Sequence, residues 1–369
     1  MDPNKPNADR MHAQLEAGVK EGVFPGAVLL VARKGQVLFI EKAGYLSLIP
    51  EQIPVKRDTI FDQASLTKPL ATTLSLMKLV DEGKVELDQP LSQLTPTPVP
   101  SDKKDLTLRL LLSHSAGFTD WKPFYLDLMA YESEQRKRIL REQILKDPLA
   151  YSPNEEYLYS DLGFMILEWI IEEVTGMSMR RFVEERFYQP LSLERTFLSE
   201  HQRSMPFKKA FFAATEDCPW RKKVIQGEVD DENAWALGGY SGHAGLFGPA
   251  EEVYVVVNLL REHYLSKRDD YLKPDTVRTF FTRQDIVKGS DWCLGWDSRS
   301  KENSSAGRHF SRNSVGHTGF TGTSVWMDLD KDVVVILLTN RVHPTRENEK
   351  IKTFRPVLHD LIMEELGLD

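Results

Sequence analysis

Val28-Leu29-Leu30-Val31-Ala32, then Arg33-Lys34-Gly35-Gln36, then Val37-Leu38-Phe39-Ile40: two apolar runs joined by a short polar turn read as a β-hairpin. The far end of the chain repeats the arrangement. Thr323 to Leu329 and Val333 to Thr339 flank Asp330-Lys331-Asp332, a second hairpin. A helix over about Asp9 to Glu21, stopped by Gly22 and Pro25, precedes the first hairpin, and Phe354 to Leu366 reads as a closing helix after the second. Hairpins at both ends with helices beyond them predict an α/β fold, with one antiparallel sheet built from the two termini.

Between the hairpins the pattern is mainly helical. Leu70 to Val80 is apolar on most sides and reads as a buried helix. Asp161 to Val174 carries Leu162, Met165, Ile166, Trp169 and Ile170 on one side and Glu168, Glu172 and Glu173 on the other, and Gly176 stops it. The proline-rich run Thr95 to Pro100 is a stiff connector, and Lys301 to Arg308 reads as a flexible surface loop. The expected organisation is a sheet lobe from residues 1–85 plus 285–369, with an inserted mainly helical lobe at 86–284, acting as one catalytic unit.

The chain has 369 residues, 41% hydrophobic and 28% charged, the balance of an ordinary globular protein. A net charge of −8 offers no basic stripe for phosphates, so no nucleic-acid partner is expected. Lys208-Lys209 and Arg221-Lys222-Lys223 read as solvated surface. Two cysteines, Cys218 and Cys293, make neither a disulfide framework nor a metal-ligand spacing. No His-Glu-x-x-His pair occurs, and Asp230-Asp231-Glu232-Asn233 lacks calcium-loop spacing, so no metal and no cofactor are expected. The start, Met1-Asp2-Pro3-Asn4-Lys5, is polar, and no stretch is long and apolar enough to span a bilayer. The expected location is cytoplasmic, or periplasmic or extracellular if an export signal has been trimmed.

Three short patterns carry chemistry: Ser65-Leu66-Thr67-Lys68, Tyr159-Ser160-Asp161 and His317-Thr318-Gly319. Ser-x-x-Lys occurs four times, at Ser65/Lys68, Ser75/Lys78, Ser101/Lys104 and Ser298/Lys301, so context has to choose. Ser101 and Ser298 lie in polar stretches that read as exposed loops, and Ser75 lies inside an apolar helix where a small residue packs. Ser65 differs because Pro69 follows it by four residues. A proline ring clashes with the carbonyl four residues back unless that carbonyl precedes the helix, so the helix starts near Leu66 with Ser65 at its mouth. Lys68, three residues on, shares its face. Ser65 is then either a helix N-cap or a nucleophile with an amine beside it.

The chain resembles the serine β-lactamase and penicillin-binding-protein superfamily, in the class C-like branch with its D-Ala-D-Ala carboxypeptidases and related esterases. The resemblance runs from Phe24-Pro25-Gly26-Ala27 through Phe61 to Lys68 and Leu111-Leu112-Ser113-His114-Ser115-Ala116-Gly117 to Leu338-Thr339-Asn340-Arg341. The related branch with Ser-Asp-Asn and Lys-Thr-Gly differs in its second and third elements. The resemblance implies Ser65 as nucleophile, Lys68 as its electrostatic partner, and Tyr159 as general base with Lys68 holding its pKa down. It also implies an oxyanion hole from the Ser65 and Phe320 N–H groups, with Asp161, His317, Thr318 and Gly319 facing substrate. Tyr125, in Tyr-Leu-Asp, is the rival tyrosine, in an aromatic stretch that reads as packing.

Asp161 stands where the family more often has asparagine. It is either the N-cap of the Leu162 helix or a charge that holds Lys68 protonated. His317 in place of lysine is expected to be partly charged at neutral pH. Gly319 permits close approach at a strand edge. His243, in a glycine-dense stretch, either reaches the cleft or satisfies loop carbonyls, and Arg346 is either a substrate-acid ligand or a surface arginine. The expected activity is that of a serine hydrolase acting through an acyl-enzyme on a small ester, peptide or β-lactam, as esterase or carboxypeptidase. A class C-like β-lactamase and a non-catalytic penicillin-binding sensor are the alternatives. The loops Trp121 to Tyr131 and Cys218 to Gly245 are expected to line the cleft with an apolar acyl pocket, and the sequence does not fix the oligomeric state.

Overall fold

The computed structural model describes residues 8–201 and 207–369; the polar start Met1 to Lys5 lies outside the described residues. Seven strands form the main sheet: β1 (Gly26–Arg33), β2 (Gln36–Ser47), β3 (Ile53–Pro54), β4 (Asp297–Ser298), β5 (Ser314–Thr318), β6 (Ser324–Asp328) and β7 (Val333–Thr339). Their order is β3-β2-β1-β7-β6-β5-β4, every pair antiparallel. The pairing Ala27↔Thr339 through Arg33↔Val333 zips the N-terminal hairpin to the C-terminal one. The first hairpin turns at Lys34 and Gly35, with φ 52° and 82°, a left-handed pair that a tight two-residue turn requires.

Burial on both faces explains why the strands read as unbroken apolar runs rather than alternating ones. Ala27, Leu29 and Val31 pack with Val335 and Leu337 beneath helices α1 (Ala8–Lys20) and α5 (Ile351–Glu365), through Met11, Leu15, Phe354 and Leu358. Val28, Leu30, Ile336 and Leu338 face the other way. There they share one core with α2 (Leu74–Asp81), α3 (Asp161–Thr175) and α4 (Ala250–Tyr264), through Leu74, Ile166 and Val257. The middle of the chain also carries short strands: Phe61–Asp62, Leu246–Gly248 and Phe197–Leu198 form a three-stranded sheet, and Ala214–Cys218 pairs with Lys223–Gln226. Among the described residues no helix is long and apolar enough to cross a membrane.

Two local expectations are corrected. Ser298 is not in an exposed loop: it is buried on the edge strand β4, opposite Val315, because its hydroxyl donates to the Asp291 carbonyl. Within 301–308, Ala306 is fully buried in the α5-side core, so that loop is anchored in its second half. Ser75 does pack inside α2, its hydroxyl donating to the Ala71 carbonyl, and Ser101 is exposed.

Candidate active site

The three patterns meet at one cleft of about 640 Å³, lined by Ser65, Tyr159, Asp161, His317, Thr318 and Gly319 among others. Ser65 does not sit at the mouth of an α-helix. It lies inside a single 3-10 turn, Ala64–Leu66, followed by a wide π-turn, Lys68–Thr73, that leads into α2. A wide turn spaces the Ser65 carbonyl differently from the α-helical register in which the Pro69 ring would meet it. Ala64 takes the left-handed region, φ 46°, a cost of about 1–2 kcal/mol for a residue with a Cβ. Two contacts hold it there: its N–H donates to Asp62 Oδ1 at 2.8 Å and its carbonyl accepts from Thr67 Oγ1 at 2.6 Å.

The third pattern is clamped to this turn. Thr321 Oγ1 donates to the Asp62 carbonyl at 2.8 Å and Thr323 Oγ1 to the Gln63 carbonyl at 3.1 Å. A Cβ on Gly319 would lie 2.6 Å from the Gln63 carbonyl oxygen and 2.1 Å from Thr323 Oγ1. The glycine is therefore needed for the approach of this loop to the Ser65 turn, a different neighbour from the substrate expected there. The glycine-dense stretch serves the same end from the other side: a Cβ on Gly242 would lie 2.0 Å from the Phe164 carbonyl oxygen.

Lys68 is fully buried, and its Nζ donates to Ser65 Oγ at 3.2 Å, to Asp161 Oδ1 at 2.6 Å and to the His243 carbonyl at 3.4 Å. Burial alone would lower its pKa, but Asp161 and Tyr159 outweigh that and leave it above the ordinary lysine value. Tyr159 lies beneath this ammonium, its ring centroid 4.7 Å from Nζ. Its pKa is raised: burial dominates, and Lys68, opposed by Asp161, does not reverse it. The expected lowering of Tyr159 is thus corrected, and the resting site holds an ammonium, a carboxylate and a neutral phenol around the Ser65 hydroxyl.

Asp161 is not the helix cap. Ser160 has the extended backbone of a cap and its Oγ accepts from the Gly163 N–H at 3.4 Å, which leaves the Asp161 carboxylate for Lys68. His317 is also corrected. It is buried and its pKa is pushed down to about 3 by burial and by Lys68, so the imidazole is neutral. Its Nδ1–H donates to the Thr318 carbonyl at 2.9 Å and its buried Nε2 has no partner.

The beta-lactamase family pattern matches residues 11–357. The chain belongs to the beta-lactamase family. It is 32% identical over 364 residues to a Bacillus subtilis (strain 168) protein named "N-acetylmuramyl-L-alanine amidase", spanning 90% of this chain and 81% of that one. It is 32% identical over 372 residues to a Salmonella gallinarum protein named "Putative D-alanyl-D-alanine carboxypeptidase", spanning 92% and 82%. Among solved structures, EstCE1, a hydrolase with promiscuous acyltransferase activity, superposes with a TM-score of 0.73 at 23% identity, over 95% of this chain and 98% of that one. This chain is a serine hydrolase of the beta-lactamase-related type, with the mixed α/β fold expected for it.

Other predicted residues of the beta-lactamase-family site are placed as follows. His243 lines the cleft, buried, with Nε2 donating to Asp231 Oδ1 at 2.9 Å; burial would lower its pKa, but Asp231 and Asp161 raise it. Arg346 lines the cleft too, but its guanidinium is taken by Glu216, at 2.8 and 2.6 Å, and by Glu232 at 2.6 Å. It is therefore not free for a substrate acid. Tyr125 meets Trp220 edge to face with centroids 4.7 Å apart, in keeping with a packing role. Among the described residues two groups have metal-like geometry, Asp161/Asp231/His243 and Glu216/Cys218/Glu232. In the first, Asp161 is paired with Lys68 and Asp231 with His243; in the second, both glutamates are paired with Arg346. The lining combines apolar side chains, Trp121, Trp292, Phe320 and Ile351, with acidic ones, Asp120, Asp230, Asp231, Glu232 and Asp297.

Sequence reasoning assigned no role to His114 or Trp292. His114 brackets Tyr159: its carbonyl accepts from the Leu158 N–H at 3.0 Å and its Nδ1 accepts from the Ser160 N–H at 3.0 Å. Its ring lies 4.7 Å from the Tyr159 ring, and Trp292 stacks on Tyr159 at 5.7 Å. Burial, then Lys68, hold the His114 pKa well below its ordinary value, so Nδ1 stays an acceptor. A histidine between two serines just past a short apolar helix was the available signal; for Trp292 there was none.

Proposed function

We propose that Ser65 is acylated by ester or amide substrates and that water then releases the acyl group, with carboxypeptidase or esterase action as the physiological type. The observation that carries this is the continuous contact from Ser65 Oγ through Lys68 Nζ to Asp161 Oδ1, at 3.2 and 2.6 Å. As Ser65 attacks a carbonyl, its proton passes to Lys68 while Lys68 releases one to Asp161, so the ammonium persists and the carboxylate ends neutral. The Ser65 and Phe320 N–H groups receive the oxyanion; among the described residues no intramolecular hydrogen bond uses the Phe320 N–H. The neutral Tyr159 phenol protonates the leaving group, and Lys68 and Asp161 return the proton to it. Water repeats the sequence in reverse roles to free Ser65.

The amidase and carboxypeptidase names of the relatives favour a short peptide amide containing alanine as the substrate class. Neutral His317 supplies no charge at the third pattern, which favours esters over substrates, β-lactam or peptide, whose carboxylate would be anchored there. The test is parallel turnover of a p-nitrophenyl ester series, a D-alanyl-D-alanine peptide and nitrocefin. The ester and peptide are expected to turn over and nitrocefin slowly or only by acylation. Fast nitrocefin hydrolysis with no ester or peptide cleavage would reverse the preference.

A further inference from the structure

One titratable pair in the cleft, His243 and Asp231, has no part in the hydrolytic steps. Both line the cleft, and His243 is only 1% exposed. The backbone and the ring of His243 serve different neighbours. Its carbonyl accepts from Lys68 Nζ at 3.4 Å, while ring Nε2 donates to Asp231 Oδ1 at 2.9 Å. Ring Nδ1 is buried with no partner. The loop is clamped without help from the ring: Ser241 Oγ and the Gly242 N–H donate to Glu168 Oε2 at 2.7 and 2.9 Å. The Gly242 carbonyl accepts from Thr72 Oγ1 at 2.6 Å. Asp231 is fixed as well, since its Oδ1 also accepts from the Ala234 N–H at 2.7 Å, capping the short helix Glu232–Ala236.

This fixed ring faces charge from three elements: Asp231 before the short helix, Asp161 at the start of α3, and Lys68 in the π-turn. Glu168, further along α3, is engaged by Lys137 at 2.6 Å. A ring nitrogen of His243, a carboxylate oxygen of Asp161 and one of Asp231 all lie within 4.8 Å of one another. Burial, and then Lys68, oppose a charged imidazole, but Asp231 and Asp161 outweigh them and leave its pKa above the ordinary histidine value. Such coupling is reciprocal: what Asp161 does for the imidazolium, the imidazolium does for the Asp161 carboxylate. In acylation Asp161 takes a proton by way of Lys68 and later returns it, so its readiness to be a carboxylate again matters to each turnover. We propose that His243, kept charged by its contact with Asp231, is a positioning residue that holds Asp161 as a carboxylate toward Lys68 and so sets the lowest pH at which the relay runs. The proposal rests on the Ser65–Lys68–Asp161 relay.

His243→Gln separates charge from tether, because a glutamine amide can donate to Asp231 in place of Nε2–H while carrying no charge. The acid limb of kcat/KM for p-nitrophenyl acetate is expected to move up by about one pH unit in this variant, the low end of the effect of an opposite charge within about 4–6 Å. Along the foot of that limb the rate then falls about tenfold below the parent. A ring that merely tethers its loop predicts a limb at the parent's pH, and that result would overturn the proposal while leaving the Ser65 hydrolase standing. The coupling is also read without turnover, on protein labelled with ¹³C at histidine Cε1, the His243 signal being the one missing from His243→Gln. Its midpoint is expected above the ordinary value of about 6.5 in the parent and about one unit lower in Asp161→Asn. Equal midpoints in the two proteins would overturn the proposal whether or not an ester is cleaved. A lower midpoint in Asp161→Asn with no ester cleaved would support the charge coupling and place the failure in the hydrolytic reading.

Discussion

Replacing Asp161 with asparagine separates two mechanisms that share the same residues. The carboxylate lies 2.6 Å from a Lys68 ammonium with no exposed surface, and its own side chain is 15% exposed. Removing one partner of such a pair leaves the other charge buried and uncompensated, a loss of about 3–5 kcal/mol. Since Asp161 is the main group that raises the Lys68 pKa, that pKa falls in the variant. If Asp161 is also the final proton acceptor, kcat/KM at pH 7 drops by ~10²–10⁴, the usual contribution of a positioned acid or base. The rate then recovers as pH rises, because an uncompensated Lys68 becomes a neutral amine able to take the Ser65 proton itself. The assay is kcat/KM for p-nitrophenyl acetate from pH 5 to pH 10, with the urea-unfolding midpoint measured alongside to subtract any loss of fold. A variant within a few-fold of the parent at pH 7, with an unchanged profile, would refute the relay and leave Lys68 and Tyr159 to act without the carboxylate.

Two further outcomes follow from the geometry. His114→Ala removes the acceptor of the Ser160 N–H and the ring under Tyr159, and is expected to lower kcat by about tenfold or more with little change in KM. His114→Asn is expected to restore most of the rate, since its side-chain oxygen can accept the same N–H and asparagine tolerates the φ of 57° at this position; equal rates in the two variants would deny His114 a positioning role. Asp62 is buried with its pKa raised to about 7 from 3.8, chiefly by burial, then by Asp230. A raised folded-state pKa gives stability that is full below pH 3.8 and lost as pH rises through about 7, an effect of up to roughly 4 kcal/mol. Asp62→Asn should therefore narrow its stability deficit against the parent between pH 5 and pH 8, measured by urea unfolding; Asp297, raised similarly, cancels in the difference. A deficit that stays constant would mean that Asp62 is ionised throughout.

The terminal hairpins were legible because a strand covered on both faces reads as an unbroken apolar run, as Val28 to Ala32 and Val333 to Thr339 do. Pro69 was the mark that separated Ser65 from three other Ser-x-x-Lys matches, even though the turn around it is 3-10 and π rather than α. What the sequence hid depends on distance through space. Whether Asp161 capped α3 or paired with Lys68 was undecidable from the sequence, since aspartate does both; Ser160, one residue earlier, takes the cap and frees the carboxylate for Lys68. The same holds for charge. Tyr159 and His317 are named by their motifs, but the burial that keeps one a phenol and the other a neutral imidazole belongs to the closed cleft. Arg355, on the last helix, is far in sequence from every motif and reaches the cleft only because α5 folds back over the sheet.

The central claim is that one serine among the four Ser-x-x-Lys candidates becomes covalently acylated. Intact-protein mass spectrometry after incubation with a fluorophosphonate tests it directly. A single adduct is expected on the parent protein, mapped to Ser65 and absent from Ser65→Ala. An adduct of the same stoichiometry on Ser65→Ala, or mapping to Ser75, Ser101 or Ser298, would contradict it.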